Sequence, residues 1–192
     1  RSEGRKGVSM YSFRIGFALA VVFLLPSVAD AQVTSATDVT VAEYLAVTNA
    51  PEGGVDRQVK VVDIGKSNVA VGILHRDALE RSDGPASGIV HSLVTEVYYI
   101  HSGGGTLVTG GTMSERLDIP ADHAIVTTLV GESFRADSTG GHSRDVAEGD
   151  IVVIPAGVFH GWTEIKDHVT YLSIRPDPDK VLPAGWVNPV IK

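Results

Sequence analysis

The feature that most constrains the fold is a succession of short β-branched runs, which begins near residue 58 and continues almost to the end of the chain. Turn-forming residues separate the runs, as at Gly103-Gly104-Gly105 and Gly140-Gly141. Strands at this spacing are typical of a sandwich or a barrel. No helical pattern long enough for a parallel crossover is visible among them, so we expect a mainly antiparallel sheet.

The runs predict strands over 58–63, 68–76, 89–94, 96–101, 106–109, 124–128, 132–136, 151–154 and 170–175. Ahead of them, apolar residues between Val41 and Val47 recur at helical spacing, with Thr37 or Asp38 available as the N-cap. The turn residues 51–54 end this pattern. We therefore predict a short N-terminal helix followed by an all-β domain.

The first 31 residues have the pattern of an export signal. Basic residues come first, and residues 15–25 form an apolar run that is too short to span a bilayer, which takes about 20 residues. Ala-Asp-Ala at 29–31 suits a signal peptidase, so the mature chain is expected to start at Gln32. The protein is thus predicted to be periplasmic or secreted and free of the membrane after cleavage. The alternative is an uncleaved anchor or a buried N-terminal helix.

The predicted layout has four parts and one core. These are the signal and upstream residues (1–31), the helix and lead-in (32–57), the β-barrel (58–176) and an extended C-terminal tail (177–192).

The expected mature chain is acidic. The sequence has 16 Lys and Arg against 23 Asp and Glu. Residues 1–31 hold four of the basic and two of the acidic residues, which leaves 12 against 21 and moves the net charge from −7 to −9. Nucleic acids and anionic membranes are therefore disfavoured as partners, since both need basic patches. Cysteine is absent, so any metal must be held by His and carboxylates.

Two segments, residues 89–103 and 149–164, carry metal-competent side chains within otherwise apolar strands. The first segment contains His91 and Glu96, and the second contains His160. A buried imidazole or carboxylate without a partner is costly, so such residues are normally paired or bound to a metal.

These segments resemble the paired motifs of the cupin superfamily. In the first motif, Glu96 stands five residues after His91, and Gly103 stands seven after Glu96, as the family pattern requires. Ile89 occupies the position of the family's first histidine.

The second motif matches more completely. Its fixed positions are Gly149, Pro155, Gly157 and His160, all at the family spacing. Glu164 stands where the family usually has asparagine. Together the motifs and their flanking strands extend the resemblance over about residues 59–175.

The resemblance implies a double-stranded β-helix, the jelly-roll barrel of the cupins, with one divalent transition metal in its interior. Carried over by position, the ligands are His91, Glu96 and His160. Two histidines and one carboxylate suit non-heme Fe(II), which we favour, while imidazole-rich sites also accept Mn, Ni, Cu or Zn. Three ligands leave coordination positions free for chemistry, whereas a closed shell of four indicates a structural role.

The position vacated at Ile89 stays open or is filled by another histidine. His75 is the best candidate for a fourth ligand, because it shares a strand face with apolar Val71 and Ile73. The alternative is a strand-end histidine with local hydrogen bonds.

Three further side chains are candidates for chemistry beside Glu96. Tyr98 could donate a hydrogen bond into the cavity, or be an ordinary core tyrosine. Glu164 could act as a general base, or be a solvated strand-end residue. Arg175 could clamp a substrate carboxylate, or pair with Asp177 or Asp179. Glu96, Tyr98 and Glu164 form the predicted catalytic set.

The function hypotheses come from three classes. The first is an exported metal-dependent enzyme, dioxygenase-like or an isomerase or lyase, acting on a small organic molecule. The second is a non-catalytic metal-binding or ligand-binding protein such as a sensor or scavenger, and the third is a storage barrel. Cupin folds host all three, so the fold cannot choose among them. We favour the enzyme, with a small-molecule substrate and a possible homodimer.

Overall fold

The structure, a computed structural model, describes Gly7 and residues 35–192. One helix, α1 (Val41–Thr48), precedes ten strands in this part of the chain. The strands are β1 (Asp56–Asp63), β2 (Asn68–Leu79), β3 (Ala86–His91), β4 (Glu96–Thr109), β5 (Thr112–Met113), β6 (Leu117–Asp118), β7 (Ser133–Thr139), β8 (His142–Ala147), β9 (Ile151–Ile154) and β10 (His160–Asp177). The predicted all-β class with a short N-terminal helix is confirmed.

The predicted export signal over 1–31 lies outside the described residues, apart from Gly7, and stays a prediction. Among the residues that the structure does describe, no helix combines the length and apolar character needed to cross a membrane.

Helix α1 begins at a different cap from those predicted. The Thr40 side chain accepts a hydrogen bond from the Glu43 N–H, and the Glu43 carboxylate accepts one from the Thr40 N–H. This reciprocal capping box satisfies two N–H groups, which neither Thr37 nor Asp38 does here. The helix packs against the outer face of β1 and β2, in a cluster of Tyr44, Val47, Val59 and Ile73.

The barrel consists of two antiparallel sheets that share the long strands β4 and β10. One sheet has the order β1-β2-β10-β4-β9 and uses the second half of β10 with the first half of β4. In the other sheet, the first half of β10 pairs with β3 and with the second half of β4, while β7 and β8 extend the two sides. Every pairing is antiparallel, as predicted. The interior between the sheets is filled mainly by aromatic and aliphatic side chains such as Tyr98, Trp162 and Tyr171.

The glycines at 103–105 form part of β4, and the turn predicted there is wrong. At this point β4 passes from one sheet to the other, and its register against β10 shifts between Glu164 and Val169. Other backbone segments approach the glycines closely. A Cβ on Gly104 would lie 2.4 Å from the Val146 carbonyl oxygen, and one on Gly105 would lie 2.4 Å from that of Glu164. Glycine is needed here for close packing of a bent strand and not for a chain reversal.

The segment predicted as a strand over 124–128 is instead part of a π-helical turn, Ile125–Leu129. The His123 N–H donates to the Pro120 carbonyl at 3.0 Å, and the His123 carbonyl accepts from the Val126 N–H at 2.9 Å. The ring nitrogen Nδ1 of His123 also accepts from the Ile125 N–H at 3.1 Å. The sequence predicted a strand here because β-branched residues favour strands. The local hydrogen bonds of the turn outweigh that preference.

The C-terminal tail lies along the free edge of β1. The Val61 N–H donates to the Trp186 carbonyl at 2.8 Å, and Leu182 is buried against Val61. A short 3-10 helix, Pro189–Ile191, interrupts its otherwise extended course. Because the tail occupies this edge, less of β1 is available for pairing with another chain.

We predict that Gly104→Ala lowers the free energy of unfolding by about 1–3 kcal/mol, since overpacking in a close-packed region typically costs this much. The new methyl group would collide with backbone that cannot rotate away. Gly54→Ala is the matched control, because a Cβ there meets no atom within 4 Å. Urea denaturation of both variants checks this, and equal losses would contradict it.

Candidate metal centre

Three metal-competent side chains meet inside the barrel. His91 ends β3, Glu96 begins β4 and His160 begins β10. The Nε2 atoms of His91 and His160 each lie 3.2 Å from Glu96 Oε2. The potential ligand atoms of these three residues all lie within 4.8 Å of one another. The structure thus brings together the three residues predicted as ligands.

The connections between strands place these residues side by side. A four-residue bend joins the end of β3 to the start of β4, so His91 and Glu96 flank one short connection. His160 pairs with Ile89 across β3 and β10. The turn before His160 is fixed to the same place, because the Gly157 N–H donates to the His91 carbonyl at 2.8 Å. Gly157 has a φ of 80°, a left-handed conformation that favours glycine, which explains this position of the motif.

Hydrogen bonds at the outer ring nitrogens orient both histidines. His160 Nδ1 donates to the Val158 carbonyl at 3.1 Å. The Ser133 hydroxyl donates its single proton to the Gly131 carbonyl, and it therefore accepts from His91 Nδ1 at 2.8 Å. Both Nε2 atoms point toward Glu96 Oε2 at 3.2 Å.

The donor set fits a divalent cation. Two imidazole nitrogens and one carboxylate oxygen face one another, and such groups repel unless a proton or a cation lies between them. Each histidine is 5% exposed and Glu96 is 1% exposed, so water cannot screen this repulsion well. Two histidines and a carboxylate are a common ligand set for transition metals, and the outer hydrogen bonds on both rings are those of metal-binding histidines. His91, Glu96 and His160 therefore could hold a metal ion.

The two oxygens of Glu96 have different surroundings. Oε2 faces the histidines and accepts a hydrogen bond from the Tyr98 hydroxyl at 2.8 Å. Oε1 accepts from the Ser173 hydroxyl at 2.6 Å and from Arg175 Nε at 3.2 Å. The oxygen turned away from the histidines is thus held by two donors, while the other remains directed at the candidate metal position.

The protonation states match what metal binding requires. Burial raises the pKa of Glu96, but His91, His160 and Arg175 together lower it by more, so this pKa lies well below its usual range. Burial lowers the pKa of His91, and the charge of Glu96 offsets only part of this effect. Burial raises the pKa of Tyr98 well above its usual value, and Glu96 adds to the shift. At neutral pH the carboxylate is ionised, while His91 and Tyr98 are neutral.

His75 is not brought to this group. Its Nδ1 lies 2.7 Å from the Thr170 hydroxyl, its Nε2 lies 3.6 Å from Asp77, and its ring stacks on His168. The apolar strand face that it shares with Ile73 is the outer face, which α1 covers. The prediction of His75 as a fourth ligand is therefore wrong. The alternative of a strand-end histidine with local hydrogen bonds does not describe it either, because His75 lies inside β2 and contacts Thr170 on the neighbouring strand β10.

Glu164 also lies apart from the three candidate ligands. Its carboxylate is 3.8 Å from Arg81, and its side chain is partly exposed. It lines a surface cavity of about 460 Å³ together with Arg81 and Thr163, and none of the three candidate ligands lines this cavity. Of the predicted catalytic set, only Tyr98 joins Glu96 at the site.

Arg175 matches neither of its predicted roles. It is fully buried and pairs with Asp56 at 2.6 Å and with Glu96 at 3.2 Å, and not with Asp177 or Asp179. Sequence reasoning missed Ser133, Ser173 and Asp56 as supports of the site. Ser173 and Arg175 lie on the same face of β10 as the core residue Tyr171, at intervals of two residues. This two-residue period of a strand was the signal that could have placed Ser173 beside the site.

Comparisons with known proteins add structural resemblances. No known protein family matches the sequence, and no curated protein matches it. A solved Bacillus halodurans protein is 13% identical, covering 82% of this chain and 92% of its own, with a TM-score of 0.43. A Klebsiella pneumoniae protein with a double-stranded β-helix domain is 16% identical, over 76% of this chain and 93% of its own, with a TM-score of 0.39. The DMSP lyase DddQ of Ruegeria pomeroyi is 13% identical, over 67% of this chain and 52% of its own, with a TM-score of 0.35.

The fold and the arrangement of the site agree with the family resemblance of the two sequence motifs. Two antiparallel sheets form a barrel, and the histidines and glutamate of two spaced motifs converge in its interior. These are the fold and the motif positions that the resemblance of the sequence to the cupin superfamily implies.

We predict that Tyr98→Phe lowers the free energy of unfolding of the metal-free protein by about 1.5–3 kcal/mol, the usual worth of a hydrogen bond to a charged group. The change leaves the Glu96 carboxylate without the donor that now lies 2.8 Å from Oε2. Tyr99→Phe is the control, since the neighbouring tyrosine is 40% exposed. Chemical denaturation monitored by circular dichroism measures both, and a neutral Tyr98→Phe would refute the assigned role.

Proposed function

We propose that this protein is an exported, metal-dependent cupin enzyme that acts on a small organic molecule. Dioxygenase-like chemistry is favoured, with isomerase or lyase chemistry as the other subclasses. The observation that carries the proposal is the convergence of His91 Nε2, His160 Nε2 and Glu96 Oε2, which all lie within 4.8 Å of one another. Export is proposed from the signal pattern of residues 1–31 and implies a periplasmic or secreted protein.

The charge of the surroundings supports a cation at this position. Glu96 and Asp56 carry two negative charges, and Arg175, which contacts both, carries one positive charge. Without the histidines, the cluster therefore has a net charge of −1. A bound divalent ion would offset this charge in a low-dielectric interior, where an unbalanced charge is costly.

The ligand number supports chemistry over a purely structural role. Since His75 is held elsewhere, the candidate ligands are three, and three protein ligands leave coordination positions for substrate or O₂. Fe(II) is favoured for two histidines and one carboxylate, and Mn, Ni, Cu or Zn are the alternatives. Such an ion would supply Lewis-acid polarisation or O₂ activation.

The residues of the chain would orient the substrate and limit access of water. Tyr98 presents a neutral hydroxyl to Glu96 Oε2, the carboxylate oxygen that faces the histidines, and its raised pKa keeps it protonated at neutral pH. It can donate a hydrogen bond but does not act as a base under these conditions. The ring of Tyr171 packs against Tyr98, Trp162 packs against Tyr171, and these side chains make the interior apolar. This environment suits a small molecule with few charges.

A non-catalytic metal-binding cupin, a sensor or scavenger, is the second candidate. The observation that favours it is the near-complete burial of all three candidate ligands, which restricts the size of any substrate. A protein that only captures a metal ion needs no wider opening than the ion itself.

Metal analysis of the purified domain provides the first test. We expect about one transition-metal ion per chain, which is lost in His160→Ala. His142→Ala is the matched control, because His142 is an exposed histidine on β8. We also expect that saturating metal at about 100 times its Kd stabilises the wild type by about 2.7 kcal/mol in thermal unfolding. Wild-type protein that binds no metal, with mass spectrometry and calorimetry in agreement, would overturn both candidates.

Oxygen consumption separates the enzyme from the binding protein. The Fe(II)-loaded protein is mixed with a panel of phenolic, diketone and sugar-acid compounds, and O₂ uptake is recorded beside product analysis. A dioxygenase consumes O₂ with at least one substrate class, and His160→Ala abolishes the uptake. An isomerase or lyase forms product without O₂ uptake. Stoichiometric metal with no turnover across the panel favours the sensor or scavenger.

A further inference from the structure

The side chain of Arg175 contacts the candidate metal site at one end and a backbone segment at the other. Its Nε donates to Glu96 Oε1 at 3.2 Å. Its Nη1 donates to the Leu129 carbonyl at 3.1 Å and to Gln58 Oε1 at 2.9 Å. Its Nη2 pairs with Asp56 at 2.6 Å. Its Nε also donates to Ser173 Oγ at 3.1 Å. A planar guanidinium with these five acceptors has little freedom to move independently of any one of them.

A second route leads from the site to the same segment. His91 Nδ1 donates to Ser133, and Ser133 donates to the Gly131 carbonyl at 2.9 Å. Two different candidate ligands, Glu96 and His91, are therefore each linked by one side chain to the backbone of residues 129–131. Between the two anchor points lies Val130, which is 1% exposed and closes the π-helical turn through a 2.9 Å bond from its N–H to the Ile125 carbonyl.

Gln58 adds a third connection to this turn. Its side-chain amide donates to the Thr128 carbonyl at 2.8 Å, while its carbonyl oxygen accepts from Arg175. Gln58 is 1% exposed, so its polar atoms depend on these partners. The turn is therefore attached to the barrel interior by polar contacts that all meet at Arg175 or Ser133.

From this arrangement we propose that Arg175 is a positioning residue that couples metal binding to the order of segment 129–131. The inference rests on the proposed metal site. A bound ion fixes Glu96 Oε2 and His91 Nε2, which also fixes the opposite ends of both groups. Arg175 and Ser133 then hold the Leu129 and Gly131 carbonyls in place. Because binding couplings are reciprocal, loss of these contacts also weakens the metal.

Hydrogen exchange of the Val130 amide provides the test, with Zn²⁺ alone as a probe that undergoes no redox chemistry. In the wild type, Zn²⁺ is expected to slow exchange of this amide by about 5-fold or more. Arg175→Lys keeps the positive charge but not the fork geometry, and it is expected to abolish most of this protection. The same variant is expected to weaken Zn²⁺ binding by about 10- to 100-fold, as is usual for partners of metal ligands.

Matched variants separate coupling from general stability. Arg76→Lys is the control, because Arg76 is a half-buried arginine whose side chain donates to the Tyr171 hydroxyl at 3.2 Å. It should leave the Zn²⁺-dependent protection intact. Ser133→Ala removes only the His91 route and should lose part of the protection. This variant carries the test if circular dichroism shows that Arg175→Lys does not fold.

The outcomes are distinguishable. Zn²⁺ binding without protection of Val130 in the wild type overturns this inference alone, as does full protection in Arg175→Lys or, where that variant does not fold, in Ser133→Ala. A purely structural Arg175 would alter exchange equally with and without Zn²⁺, which also contradicts the coupling. Absence of Zn²⁺ binding in the wild type overturns the proposed function, and this inference with it.

Discussion

The buried carboxylate of Glu96 is the group on which the interior of this barrel depends. An ionised carboxylate 1% exposed is tolerated only when its oxygens are fully partnered, and the strands around it supply these partners. Ser173 and Arg175 hold one oxygen, while Tyr98 and the two histidines surround the other. The same charge would attract a cation to the candidate site, and it also pairs with the buried arginine.

The long strands make this arrangement possible. β4 carries Glu96 at its start and crosses from one sheet to the other at its glycines, while β10 carries His160 at its start and Arg175 near its end. One strand therefore contributes both a candidate ligand and the residue that supports another ligand. All three candidate ligands lie at ends of strands, where short turns can set their direction, and Glu96 also pairs with Ile154 of β9. The same few strands in this way supply both the candidate ligands and the residues that support them.

Much of the barrel could be predicted because its signals are local. Alternation and turn residues indicate strands, and the fixed spacings of Gly149, Pro155, Gly157 and His160 relate directly to a turn with a left-handed glycine. The two wrong predictions of secondary structure have a common cause. The glycines of β4 and the β-branched run at 124–128 carry signals that hold for isolated segments, whereas close packing in one case and a hydrogen-bonded turn in the other were the stronger effects.

The residue types and spacings of the chain predicted an antiparallel β protein, and the resemblance of its motifs predicted a candidate ligand set of two histidines and one glutamate. They could not establish which face of β2 looks inward, because the outer face is also apolar where α1 covers it, and this placed His75 wrongly. Nor could they pair Arg175 with Asp56 and Glu96, which are 119 and 79 residues away along the chain. The two-residue period of strands and the spacing of motif residues carry information only about local structure, within one strand or one turn. Partners of buried charges are instead chosen by the folded barrel, where each charge must find a counterpart among whatever residues the sheets bring beside it.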